Sequence, residues 1–583
     1  MGLWVLADRH MEFVPGTTRY FDDLERPQVA AAQQHIGLKC DTYGKLPIIL
    51  IPQPSDDPND PLNWPLWKRD IITAVLSLTS VFATSLGPIL AANTLTLSFY
   101  FEIIFTETAL LTGYFLLGVG VAGIFLVPTA RVWGKRHQFL LGTVILIVTS
   151  IWGGFVGEPV TGTGQRYTSL LWARIFQGVG TAPFEALINA AIGDLYFVHE
   201  RGKRMALTNL AVFGGAFFTP ILVGKITHTI GWPWSFYFVS IFCAVCLPLL
   251  FFFCPETAYL RSAYLNTDLV SSDDFRSQEN IGGSHELQSN AGASISVSLD
   301  GAEYINGHAN KKPGTAPWHP AAQDTGANIP KQSWAQSLRI FNGRKSNESY
   351  WKLLLRPFSL FAHPAILWAC LIQGTMIGWT VFIGVVLGAI FLGPPLFWDE
   401  VNTGYAYTGA FVGSVMGFLL AGGLADWSAK FMTRKNGGIY EPEFRIILVI
   451  PQMIFGVTGL FGFGITASRL VDFHWSVPIA FFGMQVGAMV IGAVAASLYI
   501  VDAHRDIAVE AFTCILIFKN FFSFGLTFKA YDWIVKKGIY TTFMAISSVQ
   551  IVICLLSIPM YIFGKRNRSF FHRHDILKIC GLR

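Results

Sequence analysis

The feature that most constrains this chain is a succession of apolar runs, each about twenty residues long, separated by short polar connections. Two of them read "IITAVLSLTSVFATSLGPIL" and "WSFYFVSIFCAVCLPLLFFFC". A hydrocarbon core about 30 Å thick is crossed by a helix of about 20 apolar residues. Backbone polar groups in hydrocarbon must find partners inside the structure, which selects helices for such runs. Charge agrees with this: 14% of the 583 residues are Asp, Glu, Lys or Arg, against about 25% in soluble domains. The predicted class is an all-α membrane protein.

Twelve spans are predicted, at 71–91, 108–129, 138–157, 168–194, 205–225, 234–254, 363–390, 405–425, 445–467, 477–501, 510–531 and 539–563. Six precede a long polar stretch and six follow it. This predicts a tail at 1–67, a six-helix half at 68–254, a central loop at 255–356, a second half at 357–563 and a tail at 564–583. Repeats of this kind are common in transporters. No short apolar core with a cleavage site precedes the first run, so that run is expected to direct insertion itself.

Orientation follows from the basic residues. Alternate short loops hold Arg131, Lys135, Arg136, Arg201, Lys203, Arg204, Lys430, Arg434, Lys435 and Arg505, and the last tail adds Lys565, Arg566, Arg568 and Arg573. The other loops offer Arg166, Lys225, Arg469, Lys536 and Lys537. Both tails and the central loop are therefore predicted to be cytoplasmic. The Ser, Asn, Gly and Pro mixture of the central loop predicts disorder over most of it. Near its end Trp334, Leu338 and Phe341 recur at helical spacing beside Arg339 and Arg344, which predicts a short interfacial helix.

Several function classes drop out. The basic residues sit in loops rather than on an aromatic-bearing face, so no nucleic-acid partner is expected. Cys243, Cys246, Cys254, Cys370, Cys514 and Cys554 lie inside apolar runs, where packed thiols are expected rather than a metal site. No nucleophile–base cluster or Walker A sequence is present, so neither an enzyme nor an ATP-driven pump is expected, and no cofactor.

Polar and ionisable residues inside spans are costly and mark function. Glu185 lies 11 residues after Arg174 in the fourth span, on the same face and about 16 Å away, with Pro183 predicted to kink the helix between them. Lys519 and Asn520 lie mid-span in the eleventh; Lys519 has three open roles, a structural pair, a substrate contact or a snorkelling side chain. Asn189, Gln373 and Gln485 are further polar candidates for a substrate cavity, with hydrogen bonding between helices the alternative for both glutamines. Small residues four apart, among them Gly409, Gly413, Gly417 and Ala421, predict close helix approach. In the fifth span Ala211, Gly215, Thr219, Pro220 and Gly224 combine such a groove with a proline.

These residues resemble signatures of the major facilitator superfamily. Leu170, Arg174, Gln177, Gly178 and Gly180 match its L-x3-R-x2-Q-G-x-G pattern, and the fifth span is similar to its antiporter motif, with Ala211, Thr219 and Val223 in place of glycines. The loop "VPTARVWGKR" keeps Gly134, Lys135 and Arg136 but puts Arg131 where the family has aspartate. "DPNDPLNWPLWKRD", "HERGKRMAL", "PETAY", "NGGIYEPEFRI" and "YIVDAHRDIAVEAF" look like the fungal drug:H+ antiporter branch. The resemblance implies a two-half rocking transporter with Arg174 in proton coupling, Gly215, Pro220 and Gly224 as a conformational motif, and a gate contact between Asp426 and Arg505.

The resulting expectation is a proton-coupled, monomeric transporter in the plasma membrane, or else a vacuolar or other endomembrane, exporting amphipathic organic compounds. Two rival readings stand beside it: proton-symport uptake of an organic cation or polyamine, and a transport-dead sensor signalling through the central loop. Glu185 is the expected proton-exchanging group, or alternatively a permanently protonated hydrogen-bonder.

Overall fold

The computed structural model describes residues 3–11, 14, 16–19, 39–41, 48–50, 54–157, 164–259, 330–346, 348–437 and 439–583. The disorder expected for the central loop falls mainly on 260–329, outside the described residues.

The long helices are α1 Leu66–Ser85, α2 Phe105–Trp133, α3 Arg136–Phe155, α4 Gly164–Ala186, α5 Val198–Ile230 and α6 Pro233–Phe253, followed by α7 Pro364–Leu392, α8 Thr408–Lys435, α9 Val449–Ala467, α10 Ser476–Ala503, α11 Ala508–Lys537, α12 Ile539–Leu555 and α13 Ser557–Arg573. Their limits are set locally. Pro233 and Pro364 stand in the first turns of α6 and α7, where a missing N–H costs nothing. Gly231 and Gly538, at φ +95° and +80°, turn the chain between α5 and α6 and between α11 and α12.

Among the described residues, ten helical runs are long and apolar enough to cross a membrane; α1 and α4 are not among them. Both are helices of the predicted place, but their polar side chains face inward. Thr73, Thr79, Ser80 and Ser85 of α1 are buried, as are Arg174, Gln177 and Thr181 of α4. A helix lined by partner helices is free to carry polar residues that lipid would exclude.

One core joins the first six helices through Ile72, Leu76, Leu111, Phe115, Leu146, Phe184, Val223 and Phe236. A second, built on Phe382, Phe391, Phe463, Phe482 and Phe543, takes in Ala109 and packs against Phe105 and Phe213, so it spans both sets of helices. The expected interfacial helix forms only over Trp334–Ser337. It stops there because the Arg136 guanidinium takes the carbonyls of Ser337 and Leu338, at 2.5 and 3.1 Å, which a continuing helix would have used.

Two short antiparallel pairs complete the fold: β1 Thr18–Arg19 with β4 Ile439–Tyr440, and β2 Cys40–Asp41 with β3 Ile48–Ile49. The first pair was not predicted. It places the N-terminal segment on the α8–α9 loop, at the face of the bundle that carries both termini.

Candidate transport site

Glu185 is positioned by a break in the fourth span. Pro183, inside α4, offers no N–H to Val179 O and bends the turn before it, while the break itself comes four residues later. The α-helix ends at Ala186, Leu187 N bonds Pro183 O at 2.9 Å, and a new helix runs over Ile188–Leu195. The Glu185 carboxylate accepts from Lys519 Nζ on α11 in an ion pair between the two sets of helices. Their side chains are 22% and 11% exposed, so both charges are largely withdrawn from solvent. Each is costly alone at this depth, and pairing offsets much of that cost. Of the three roles open for Lys519, the pair is the one it takes here.

The neighbouring polar candidates divide. Gln373 stands in a π-helical turn, Cys370–Gly374, within α7. That turn packs on α11, with the position of a Cβ on Gly374 only 3.6 Å from Lys519 Cα. Gln373 Oε1 is buried without a hydrogen-bond partner, and π-turns concentrate at functional sites. Asn189, on the helix after the break, donates to Asn209 Oδ1 at 3.3 Å and keeps a buried Oδ1 with no partner. Asn520 is buried and donates to Leu516 O at 3.0 Å. Gln485 is occupied elsewhere: its Nε2 donates to Thr380 Oγ1 at 2.9 Å and Met376 O at 3.2 Å, stitching α10 to α7. Beside Lys519, Phe518 stacks on Phe522 at 5.7 Å, and Trp379 meets Phe522 edge-on at 5.3 Å.

Arg174 is fully buried in a cage of neutral acceptors. Its guanidinium donates to Leu86 O at 2.7 Å, Gly87 O at 3.2 Å, Leu111 O at 3.3 Å and Gln177 Oε1 at 2.9 Å, and it lies over the Phe115 ring. Among the described residues no carboxylate pairs with it. Its geometry fastens the end of α1 and the body of α2 to α4.

In α5, a Cβ on Gly215 would stand 2.8 Å from Val81 of α1, and one on Gly224 would strike the Glu400 carbonyl. The answering glycine is Gly404, where a Cβ would meet Pro220 O at 2.6 Å. Gly215, Pro220 and Gly224 thus bring α5 against both α1 and the short helix Glu400–Tyr405 that leads into α8.

The gate contact expected between Asp426 and Arg505 is not among the ion pairs of the described residues. Asp426 is exposed, and the carboxylate used here is Asp502, paired with Arg445 at 3.0 Å. Arg445 also donates to Ala425 O at 2.9 Å, occupying the ground beside Asp426. A second charge contact between the two sets of helices, besides Glu185–Lys519, lies on the face with the termini. Arg131 pairs with Glu510 at the start of α11, Arg356 meets Glu510 at 3.2 Å, and Glu348 joins Arg356 at 3.0 Å and Arg131 at 3.4 Å. Burial opposes the Glu348 charge, but the hydrogen bonds from Arg356 and the positive charges of Arg131 and Arg356 outweigh it and hold its pKa below the usual value. Sequence reasoning missed this network. The signal available was Arg131 itself, an arginine in an aspartate's place, which calls for an acid opposite.

A polytopic helical bundle with a largely buried ion pair between its two sets of helices is an architecture that suits a membrane transporter. A sequence profile of the Major Facilitator Superfamily matches residues 72–512, and the chain belongs to that superfamily. It is accordingly a multi-pass membrane transporter and not an enzyme. The chain is 25% identical to Protein HOL1 of Saccharomyces cerevisiae, over 97% of each chain. It is 24% identical to MFS-type transporter penM of Penicillium rubens, over 88% of each, and 22% identical to multidrug transporter TPO1_2 of Candida glabrata, over 88% of this chain and 78% of that one. Among solved structures it resembles the proton:xylose symporter XylE bound to 6-bromo-6-deoxy-D-glucose, with a TM-score of 0.55 and 14% identity over 86% of this chain and 96% of that one. This likeness defines the fold.

Proposed function

We propose that the protein is a proton-coupled exporter of amphipathic organic compounds in the plasma membrane, with both termini cytoplasmic. The observation that carries the reading is the Glu185–Lys519 pair between α4 and α11. A proton on Glu185 removes the charge that holds Lys519, and a cationic or polar substrate competes with Lys519 for the same carboxylate. Proton and substrate then exclude each other at one group, which is the requirement for exchange. Rocking of the two sets of helices presents that group to alternate sides. Gln373 and Asn189 supply buried acceptors near it, and the Phe518, Phe522 and Trp379 rings supply apolar surface. Arg174 positions α4 and lends a positive field. The relatives named as multidrug and MFS-type transporters support this substrate class.

A chemical-sensitivity screen of a deletion strain tests the proposal. The strain should become sensitive to a set of amphipathic compounds, regain resistance with the wild-type chain and fail to regain it with Glu185→Gln. Greater resistance in the deletion strain, with less compound accumulated, would indicate uptake and reject export.

A further inference from the structure

On the face carrying both termini, the N-terminal segment lies along α13. Leu6 N donates to Ile562 O at 3.0 Å, Tyr561 Oη to Leu3 O at 2.8 Å, Arg566 Nε to Ala7 O at 3.2 Å and Ser569 Oγ to Asp8 Oδ2 at 2.7 Å. Between the two segments is an open concavity of about 410 Å³. Arg9 and His10 line it from the N-terminal side, and Arg566 and Arg573 from the helix. The one acid there, Asp8, has its Oδ2 already engaged by His10 N, Met11 N and the Ser569 hydroxyl. Asn567 also lines the concavity, and its Nδ2, a hydrogen-bond donor, is buried without a partner. The site is therefore rich in donors and positive charge and short of acceptors.

Its surroundings are apolar and outward-facing. Phe563 and Phe570, which line the same concavity, are 50% and 48% exposed, and Trp4 on the adjoining strand of chain is 86% exposed. The helical run through α12 and α13 is among those able to cross a membrane, so this level is where it leaves the hydrocarbon. Aromatic rings beside arginines mark the headgroup level of a bilayer. The α13 dipole accounts for Arg573 in its last turn. It accounts for neither Arg9, which comes from another segment, nor the idle Asn567 donor.

We propose that this concavity binds the phosphate-bearing headgroup of an anionic phospholipid, from the leaflet on the side of the termini. The arginines and Asn567 take the phosphate oxygens while the exposed rings lie among the acyl chains. Bound there, the lipid bridges the N-terminal segment and α13. A free phosphate would satisfy the donors but leave the rings without a partner, which is why a lipid is the better match.

Native mass spectrometry of the full-length protein, titrated with phosphatidylinositol or phosphatidylcholine, tests this. Phosphatidylinositol should be retained preferentially and should resist displacement by inorganic phosphate. Arg9→Gln should weaken it about fivefold, and Arg9→Gln/Arg566→Gln/Arg573→Gln about a hundredfold. Arg9 is exposed and off the helix, so Arg9→Gln should unfold at the wild-type temperature in lipid-free detergent, separating binding from folding. Equal retention of phosphatidylcholine, unweakened binding by Arg9→Gln, or displacement by inorganic phosphate would each overturn the proposal.

Discussion

The seam between α2 and α11 and the seam between α5 and α8 join the same two sets of helices with different chemistry. The first is in contact along its length. Phe105 meets Tyr531 at 5.7 Å at one end, Tyr114 meets Phe524 at 5.8 Å, Gly120 packs on Asn520 and Phe521, and Arg131 pairs with Glu510 at the face with the termini. The second is closed at the opposite face by backbone approach of α5 to the short helix leading into α8, Gly224 on Glu400 and Gly404 on Pro220, and is backed within α8 by Phe218–Phe411 at 5.4 Å and Phe213–Phe418 at 6.0 Å. Farther along, Gly422 and Gly423 have no described neighbour within 4 Å of where a Cβ would stand. Charge locks one seam at the face with the termini, and small residues lock the other at the far face. A rocking cycle then has to part ion pairs on one side and glycine contacts on the other.

The largest effect should come from breaking the uncharged seam. In Gly404→Val the new side chain runs into the Pro220 carbonyl, which has no room to yield without parting α5 from α8. We expect loss of transport and destabilisation of about 3 kcal/mol, read by resistance rescue and thermal unfolding. Glu510→Gln should follow, at about 2 kcal/mol, because it deprives both Arg131 and Arg356 of a partner. Arg131→Gln removes a half-exposed arm and should cost about 1 kcal/mol or less.

The two seams should also separate by pH. Glu348 has a folded pKa below its ordinary 4.5. Its contribution is therefore complete above that value and is lost as pH falls through the depressed one. Glu348 ties α2 to the helix Tyr350–Leu360 through Arg131 and Arg356, so the distance between spin labels on those two helices should widen as pH falls below about 4.5, while a label pair across α5–α8 should not change. Equal pH responses would contradict the assignment of charge to one seam. The smallest structural effect is expected from Pro220→Ala, which should slow transport more than it lowers protein abundance.

The sequence exposes single residues better than their partners. Glu185 and Lys519 stand out because charge inside an apolar run is anomalous, yet their meeting depends on how α4 and α11 face each other across more than three hundred residues of chain. Pro183 foretold a bend, but the break at Leu187 and the π-turn at Gln373 are backbone outcomes of tertiary packing, with no local pattern of their own. The Asp426–Arg505 contact is not made in this structure for a related reason: several acids and arginines crowd one face, and only packing decides that Arg445 takes Asp502. For Gln485 the sequence left a cavity role and interhelical hydrogen bonding open, and here it bonds Thr380 and Met376 of α7. The sequence marked 1–67 only as a tail, because its docking on α13 and on the α8–α9 loop runs through backbone hydrogen bonds that no side-chain pattern announces.

The most direct test of proton exchange at Glu185 is transport by Glu185→Gln as external pH is varied, measured on cells or proteoliposomes carrying equal amounts of each protein. Gln keeps the shape and much of the hydrogen bonding but holds no exchangeable proton. The variant should lose pH-driven export, and any residual flux should become independent of the proton gradient. Export that still follows the gradient, at the wild-type rate and with the wild-type pH profile, would contradict it.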